Sequence, residues 1–403
     1  MERLNRAADD VAPDPALGAT GDLQAVRAMV GATNLPRQLN VAGAGPLGVA
    51  AYETMSYLLD AHHRGGYSGR DTLLELYAGA RAQVAELMGT FPSLLSFQPS
   101  VSSVVTTLSR SIDLEAGDQV LTWDVEYGSN VRAWQVRAME TGAELVRVQP
   151  PLDSPWDTAL LLEQVDDRTK VVTVSSIQSF DGSATDLYAL REACDAVGAL
   201  LLVDLSQHLG IADVTQAVAL ADAAYASAHK WLLGPVGVAV ATFTPELVRQ
   251  LTPPAYGAAS IDIAAAAEAA IWFDPAVPLR TDVGLLEAGT PPLLGAVTTG
   301  AAARAMTAVG VERVQRAALD VRAEIVSLLD SHDLHPVPTV VDPVSPIIAL
   351  RPGPERLATI LAGLREEHFH VIVRGDILRL SPWAMDWDEV DVLLTGLDRA
   401  LTR

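Results

Sequence analysis

At 403 residues the chain is longer than one ordinary hydrophobic core sustains, so two domains are expected. Hydrophobic residues at 49% and charged residues at 19% describe a packed globular protein and argue against disorder. The formal net charge of -22 repels nucleic acid and anionic lipid, so neither is expected as a partner, although a local pocket can still be cationic.

Residues 1–40 read as an N-terminal arm with a short helix at 22–30. The stretch from Met1 to Ala16 lacks the apolar run of a secretion signal. No other run is long enough to span a bilayer, so a cytoplasmic protein is the expectation. Amphipathic helical patterns follow at 47–60 and 70–88. From residue 94, short apolar strands are predicted at 94–97, 120–123, 144–148, 170–175, 199–204, 223–226 and 236–243. Helices such as 101–112, 130–140 and 187–197 lie between several of them. That alternation implies an α/β fold with a mostly parallel sheet covered on both faces. Residues 252–292 are rich in Pro, Ala and Gly and carry no clear period, apart from an alanine run at 264–267 that predicts helix. A helical stretch at 294–329 is broken near Gly310. Strands at 346–350, 371–374 and 377–380 and a helix at 388–401 then predict a smaller α+β unit. The expected division is an arm at 1–40, a large domain at 41–294 and a small domain at 295–403, with part of the arm also assignable to the small domain.

The single cysteine, Cys194, excludes an intramolecular disulfide, and its helical setting reads as buried packing rather than a nucleophile. The eight histidines show no metal-ligand spacing with nearby Cys or Glu, so no metal is expected. A Gly-x-Gly-x-x-Gly turn with its following acid is also missing, which argues against a Rossmann-type nucleotide enzyme. Among 28 basic residues only Lys170 and Lys230 are lysines. A lysine kept where arginine is otherwise used hints at a need for an amine that can lose its proton. Lys170, beside a strand start, reads as a stray.

Lys230 lies in Ser227-Ala228-His229-Lys230-Trp231-Leu232-Leu233-Gly234-Pro235-Val236-Gly237, just past a predicted strand end. Small-molecule sites gather at that edge of α/β sheets. The alternative is a surface lysine in a Gly-Pro turn. Asp204 ends the preceding strand. There it can pair with a protonated pyridine nitrogen of a cofactor, or cap a helix. Ser100-Val101-Ser102-Ser103 opens a helix, where hydroxyls and free N–H groups can cradle phosphate or simply cap. Tyr127, in Asp124-Val125-Glu126-Tyr127-Gly128-Ser129-Asn130, can lie on a flat ring or pack ordinarily.

Together these segments resemble the class V aminotransferase family of pyridoxal 5′-phosphate (PLP) enzymes, which includes cysteine desulfurases, isopenicillin N epimerases and C–S lyases. The Ser-Ala-His-Lys-Trp string with Gly-Pro-x-Gly is its specific mark, and the likeness runs from Leu39-Asn40-Val41 to Leu378-Arg379-Leu380-Ser381. It implies fold type I, with a mostly parallel seven-stranded sheet in the large domain and a smaller α+β C-terminal domain. It also implies that Lys230 holds PLP as a Schiff base and moves protons at the substrate Cα. In the same terms Asp204 pairs with the pyridine nitrogen, Gln207 bonds the ring hydroxyl, and Tyr127 stands where desulfurases carry a stacking histidine. Ser227, His229 and Ser102 or Ser103 are implied phosphate ligands. Glu287-Ala288-Gly289-Thr290-Pro291 is similar to a string that crosses a dimer interface, which implies a homodimer in which Thr290 reaches the neighbour's phosphate. Arg379 matches the arginine that grips the substrate carboxylate, with Arg374 as a second candidate. Gln178-Ser179-Phe180-Asp181-Gly182 occupies the place of a ring-lining motif but has diverged. His62, His63 and Tyr67 fall where a substrate loop or a plain surface would lie. Arg374-Gly375-Asp376-Ile377-Leu378-Arg379 lacks the mobile cysteine a desulfurase needs, so persulfide formation on the enzyme is disfavoured. The expected activity is β-elimination of the C–S lyase type on an amino acid in specialised metabolism. Epimerisation, transamination and a non-catalytic PLP-binding sensor or scaffold are the rivals.

Overall fold

The computed structural model describes residues 19–31, 35–151, 156–262, 265, 276–337 and 343–402. Most of the alanine run at 264–267, and residues 1–18 of the arm, lie outside that set. Among the described residues the main sheet comprises β1 (Leu95–Gln98), β2 (Gln119–Trp123), β3 (Glu144–Val148), β4 (Thr169–Ser175), β5 (Leu200–Asp204), β6 (Ala223–Ser227) and β7 (Ala239–Phe243). Its order is β1-β7-β6-β5-β4-β2-β3. The pairs from β6 to β3 are parallel, and β7 runs antiparallel to both its neighbours. This is the mostly parallel sheet expected from the alternating pattern, with the seven strands that the family resemblance implies.

The central strands are buried along their whole length, which is why they read as continuous apolar runs rather than alternating ones. The edge strand β3 is partly open to solvent. The covering helices bury one stripe each. Helix Val101–Ser111 turns Val101, Val104, Val105 and Leu108 inward, at helical spacing. Helix Leu187–Val197 buries Leu187, Leu190 and Cys194; Asp186 caps its start and Gly198, at φ 73°, ends it.

The turn before β7 differs from prediction. The strand starts at Ala239 rather than 236, because Gly237 takes φ 85° and Leu233 takes φ 58°. Both lie in the left-handed region and turn the chain, so extension cannot begin earlier.

Helices Leu293–Val309 and Val311–Ser331 follow, parted at Gly310 with φ 91°. The first packs on helices Arg70–Met88 and Val49–Gly65. Strands β8 (Ile348–Leu350), β9 (Ile372–Arg374) and β10 (Ile377–Leu380) form a second sheet in the order β8-β10-β9, antiparallel throughout. Helix Trp387–Leu401 closes the chain with a capping box from Asp386 and Glu389. Residues 39–45 stitch the two regions together. Val41 donates to the Ser381 carbonyl at 3.0 Å, Ser381 donates back to Leu39 at 2.8 Å, and Gly45 donates to His229 at 2.9 Å.

Candidate active site

Parallel strands bring their carboxyl ends to one edge. Ser175 on β4 is in register with Asp204 on β5, and Asp204 with Tyr225 on β6. Ser227 ends β6, and Lys230 follows three residues later. The lysine loop is tightly held. Gly234 donates to the Ala228 carbonyl at 2.8 Å and Leu233 to Lys230 at 3.1 Å. Two glycines press against its backbone: a Cβ at Gly45 would stand 2.5 Å from the Lys230 carbonyl oxygen, and one at Gly210 2.5 Å from that of Trp231. Trp231 is fully buried and stacks on Trp383 at 6.3 Å. Truncation of such a side chain costs about 3–5 kcal/mol, so this loop is an anchored element rather than a surface turn.

Lys230 is 8% exposed. Burial pushes its amine down to about 8, Asp204 opposes that shift, and Arg379 and Arg374 add to it. The contrast with Lys170 is plain: that side chain is half-exposed and faces Asp118 at 3.8 Å. Asp204 is buried and accepts the Ser206 N–H at 2.7 Å. Burial raises its carboxyl above the usual range, while the Lys230 charge and the Ser206 hydrogen bond hold it down. Ser206 Oγ in turn accepts the Ser227 N–H at 3.2 Å.

Tyr127 is the N-cap of helix Gly128–Thr141, which begins two residues before the predicted start. Its ring lies 5.2 Å from Lys230 Nζ and 5.5 Å from the Arg374 guanidinium carbon. Arg379, on β10, is 1% exposed. It donates to the Ser179 carbonyl and, at 2.9 Å, to Asn40 Oδ1. Burial, then Arg374, lowers its guanidinium to about 10. Among the described residues neither arginine forms a salt bridge.

The Gln207 amide is engaged at both ends. Its carbonyl accepts the Trp231 indole N–H at 2.8 Å, and its nitrogen donates to Ala42 at 3.0 Å, which leaves one amide hydrogen. At the helix Val101–Ser111 N-terminus it is Ser100 that caps, accepting from Ser103 N–H at 3.1 Å. Ser102 bridges to Ser129 at 2.9 Å. Ser102, Ser103 and the exposed Thr290 line one cavity of about 480 Å³, whose wall includes neither Lys230 nor Ser227 nor His229. Thr290 also borders a second cavity of about 490 Å³, with His62 and Arg70. His62 and His63 are exposed in the last turn of helix Val49–Gly65; the Tyr67 side chain lies outside the described residues.

Ser227 Oγ, His229 Nδ1 and Arg379 Nε are buried without hydrogen-bond partners. A buried polar atom without a partner is costly, so these three are open to a ligand's hydrogen bonds. A hydroxyl and an imidazole beside a buried amine fit an anionic, aldehyde-bearing cofactor such as PLP. The unpartnered guanidinium atom fits a carboxylate.

Sequence reasoning passed over Glu126. Its buried carboxylate accepts from Ser175 N–H at 2.8 Å, Ser175 Oγ, Gln178 Nε2 at 3.1 Å and Tyr127 N–H at 3.1 Å. Burial raises its carboxyl, with the Ser175 and Gln178 hydrogen bonds opposing. An acid placed right after a strand end, inside the string already singled out for Tyr127, was the available signal.

The model of the Aminotransferase class-V family matches residues 49–351. A probable cysteine desulfurase of Methanothermobacter thermautotrophicus is 26% identical over 271 residues, 67% of this chain and 65% of its own length. A cysteine desulfurase of Dickeya dadantii is 29% identical over 67% of this chain and 65% of its own. The chain thus aligns with a little under two thirds of the length of these curated relatives. Among solved structures, the cysteine desulfurase CsdA of Escherichia coli superposes with a TM-score of 0.80 at 20% identity, covering 94% of this chain and 98% of that one. The cystine C–S lyase C-DES does so with a TM-score of 0.80 at 19% identity, covering 90% and 97%. At that identity the two structures establish the shared fold, while the family model spans most of the chain and takes in the lysine loop, Asp204 and Tyr127. The chain belongs to the class V aminotransferases, a family of PLP-dependent enzymes.

Proposed function

We propose that the chain is a PLP-dependent enzyme of the C–S lyase type, which eliminates a sulfur-bearing group from the β-carbon of an amino-acid substrate. The observation that carries this reading is the buried Lys230 amine, pushed down to about 8, within reach of the Asp204 charge and 5.2 Å from the centre of the Tyr127 ring. Bound PLP supplies an aldehyde for the amine and a ring that withdraws electrons from Cα. Lys230 anchors that aldehyde and, once displaced by substrate, takes or returns the Cα proton. Asp204 holds the pyridine edge, Ser227 and His229 serve the phosphate, and Arg379 grips the α-carboxylate in two hydrogen bonds. A second copy of the chain is part of the proposal, with the exposed Thr290 serving its phosphate.

Cys194 supports elimination over sulfur transfer to the enzyme. It is buried in helix Leu187–Val197, and burial pushes its thiol up to about 12, so it offers no accessible thiolate. Sulfur must then leave on the small molecule.

The test is a product screen by mass spectrometry with cysteine S-conjugates, ordinary amino acids with and without a keto acid, and D/L pairs. Pyruvate with thiol release supports the lyase. Dependence on a keto acid would make the chain a transaminase, loss of optical purity alone an epimerase, and binding with no product a sensor or scaffold.

A further inference from the structure

The C-terminal hairpin presents two guanidinium groups on one face. Ile377 is in register with Arg374 and lies two residues from Arg379 on β10. Directly opposed residues share a face, as do residues two apart, so Arg374 and Arg379 are diagonal neighbours. They converge on the same residue: Arg379 donates to the Ser179 carbonyl and Arg374 approaches Ser179 Oγ at 3.5 Å. Arg374 also lies over the Tyr127 ring whose centroid is 5.2 Å from Lys230 Nζ, so it borders the reacting centre. Asp376, in the turn of the hairpin, faces Arg351 at 3.7 Å, and no described acid pairs with Arg374 or Arg379.

Charge sharpens the point. Lys230, Arg374 and Arg379 act on one another, and Asp204 is the acid whose charge reaches Lys230. The nearby carboxylates of Asp204 and Glu126 are held by Ser206 and by Ser175, Gln178 and Tyr127, not by either guanidinium. The α-carboxylate of an amino acid satisfies one guanidinium, and the other is left over.

We propose that the substrate carries a second anionic group on its side chain, a carboxylate or a sulfur oxyanion, and that Arg374 receives it while Arg379 takes the α-carboxylate. This rests on the reading of the chain as an amino-acid enzyme and specifies which amino acids it selects.

Matched pairs test it. The PLP-loaded protein is titrated with S-carboxymethyl-L-cysteine against S-propyl-L-cysteine, and with L-glutamate against L-norvaline, following the visible cofactor band. The acidic member of each pair is expected to bind about 10- to 100-fold more tightly, the range for a charge-assisted contact. Arg374→Gln should weaken the acidic members far more than the neutral ones and so collapse the preference, while Arg374→Lys retains most of it. Melting curves on both variants check that the fold persists. Equal affinities within each pair in the parent protein overturn the proposal. So does an Arg374→Gln variant that weakens acidic and neutral members alike, because Arg374 would then share the α-carboxylate. If PLP binds Lys230 but no amino acid perturbs the band, the underlying amino-acid reading fails and this inference with it.

Discussion

Asn40 and Arg379, 339 residues apart in sequence, are joined by a 2.9 Å hydrogen bond from the guanidinium to the amide oxygen. With the Ser179 contact it engages both terminal nitrogens and leaves Nε without a partner. Arg379→Lys keeps the charge but loses the planar fork, and should weaken amino-acid binding about 10- to 100-fold. Asn40→Ala leaves the charge in place with one donor unpaired, and should cost roughly tenfold. Titrations of the holo-protein measure both; full affinity in Arg379→Lys would remove Arg379 from the carboxylate site.

Cofactor capture should depend on pH in a way that reports the burial of Lys230. Only a neutral amine attacks an aldehyde. Its folded value is lowered to about 8, so the reactive form dominates above that pH and is lost below it. Stopped-flow mixing of the apo-protein with PLP should show a rate that climbs and levels off near pH 8. An exposed lysine would keep climbing towards about pH 10.4. Lys230→Ala should retain no pyridoxyl mass after borohydride reduction and peptide mapping.

Glu126 accepts from Ser175, Gln178 and Tyr127, all at the site edge. Glu126→Ala strands buried donors, each costing about 1–3 kcal/mol, so a loss of roughly 3 kcal/mol is expected in denaturant unfolding. Catalytic turnover should fall further than stability explains, because Tyr127 loses the contact that sets its backbone.

Glu287 ties the segment that leads to Thr290 onto the body of the protein. It pairs with Arg81 at 2.8 Å and accepts from Tyr77 at 2.8 Å and Phe97 N–H at 2.9 Å. The pair is largely shielded, and removing one partner of such a pair costs about 3–5 kcal/mol. Glu287→Ala should show that loss in calorimetric melting. Phosphate-dependent PLP affinity should drop with it, whereas affinity for pyridoxal without the phosphate should hardly change.

The parts of the site that could be read from the chain alone are those with a local signature. Lys230 and Asp204 stand at strand ends, and parallel pairing guarantees that such ends share an edge. Glu126, Asn40 and Ser179 have no comparable mark. Ser175 is 49 residues from Glu126, and Ser179 is 200 residues from Arg379, so their contacts exist only once the sheets have assembled. The start of β7 was misplaced for a local reason: apolar Val236 and Val238 extend the strand pattern, while the left-handed turn at Gly237 overrides it.

The stitching of residues 39–45 sets a ruler between the two halves of the site. Asn40 touches Arg379, the arginine proposed for the substrate carboxylate, and Gly45 touches the loop that bears Lys230. Five residues of fully stretched chain reach roughly 18 Å at most, which limits how far those two contacts can separate while both hold. Whatever swinging the C-terminal sheet undergoes, it does so on a short leash whose other end is tied beside Lys230.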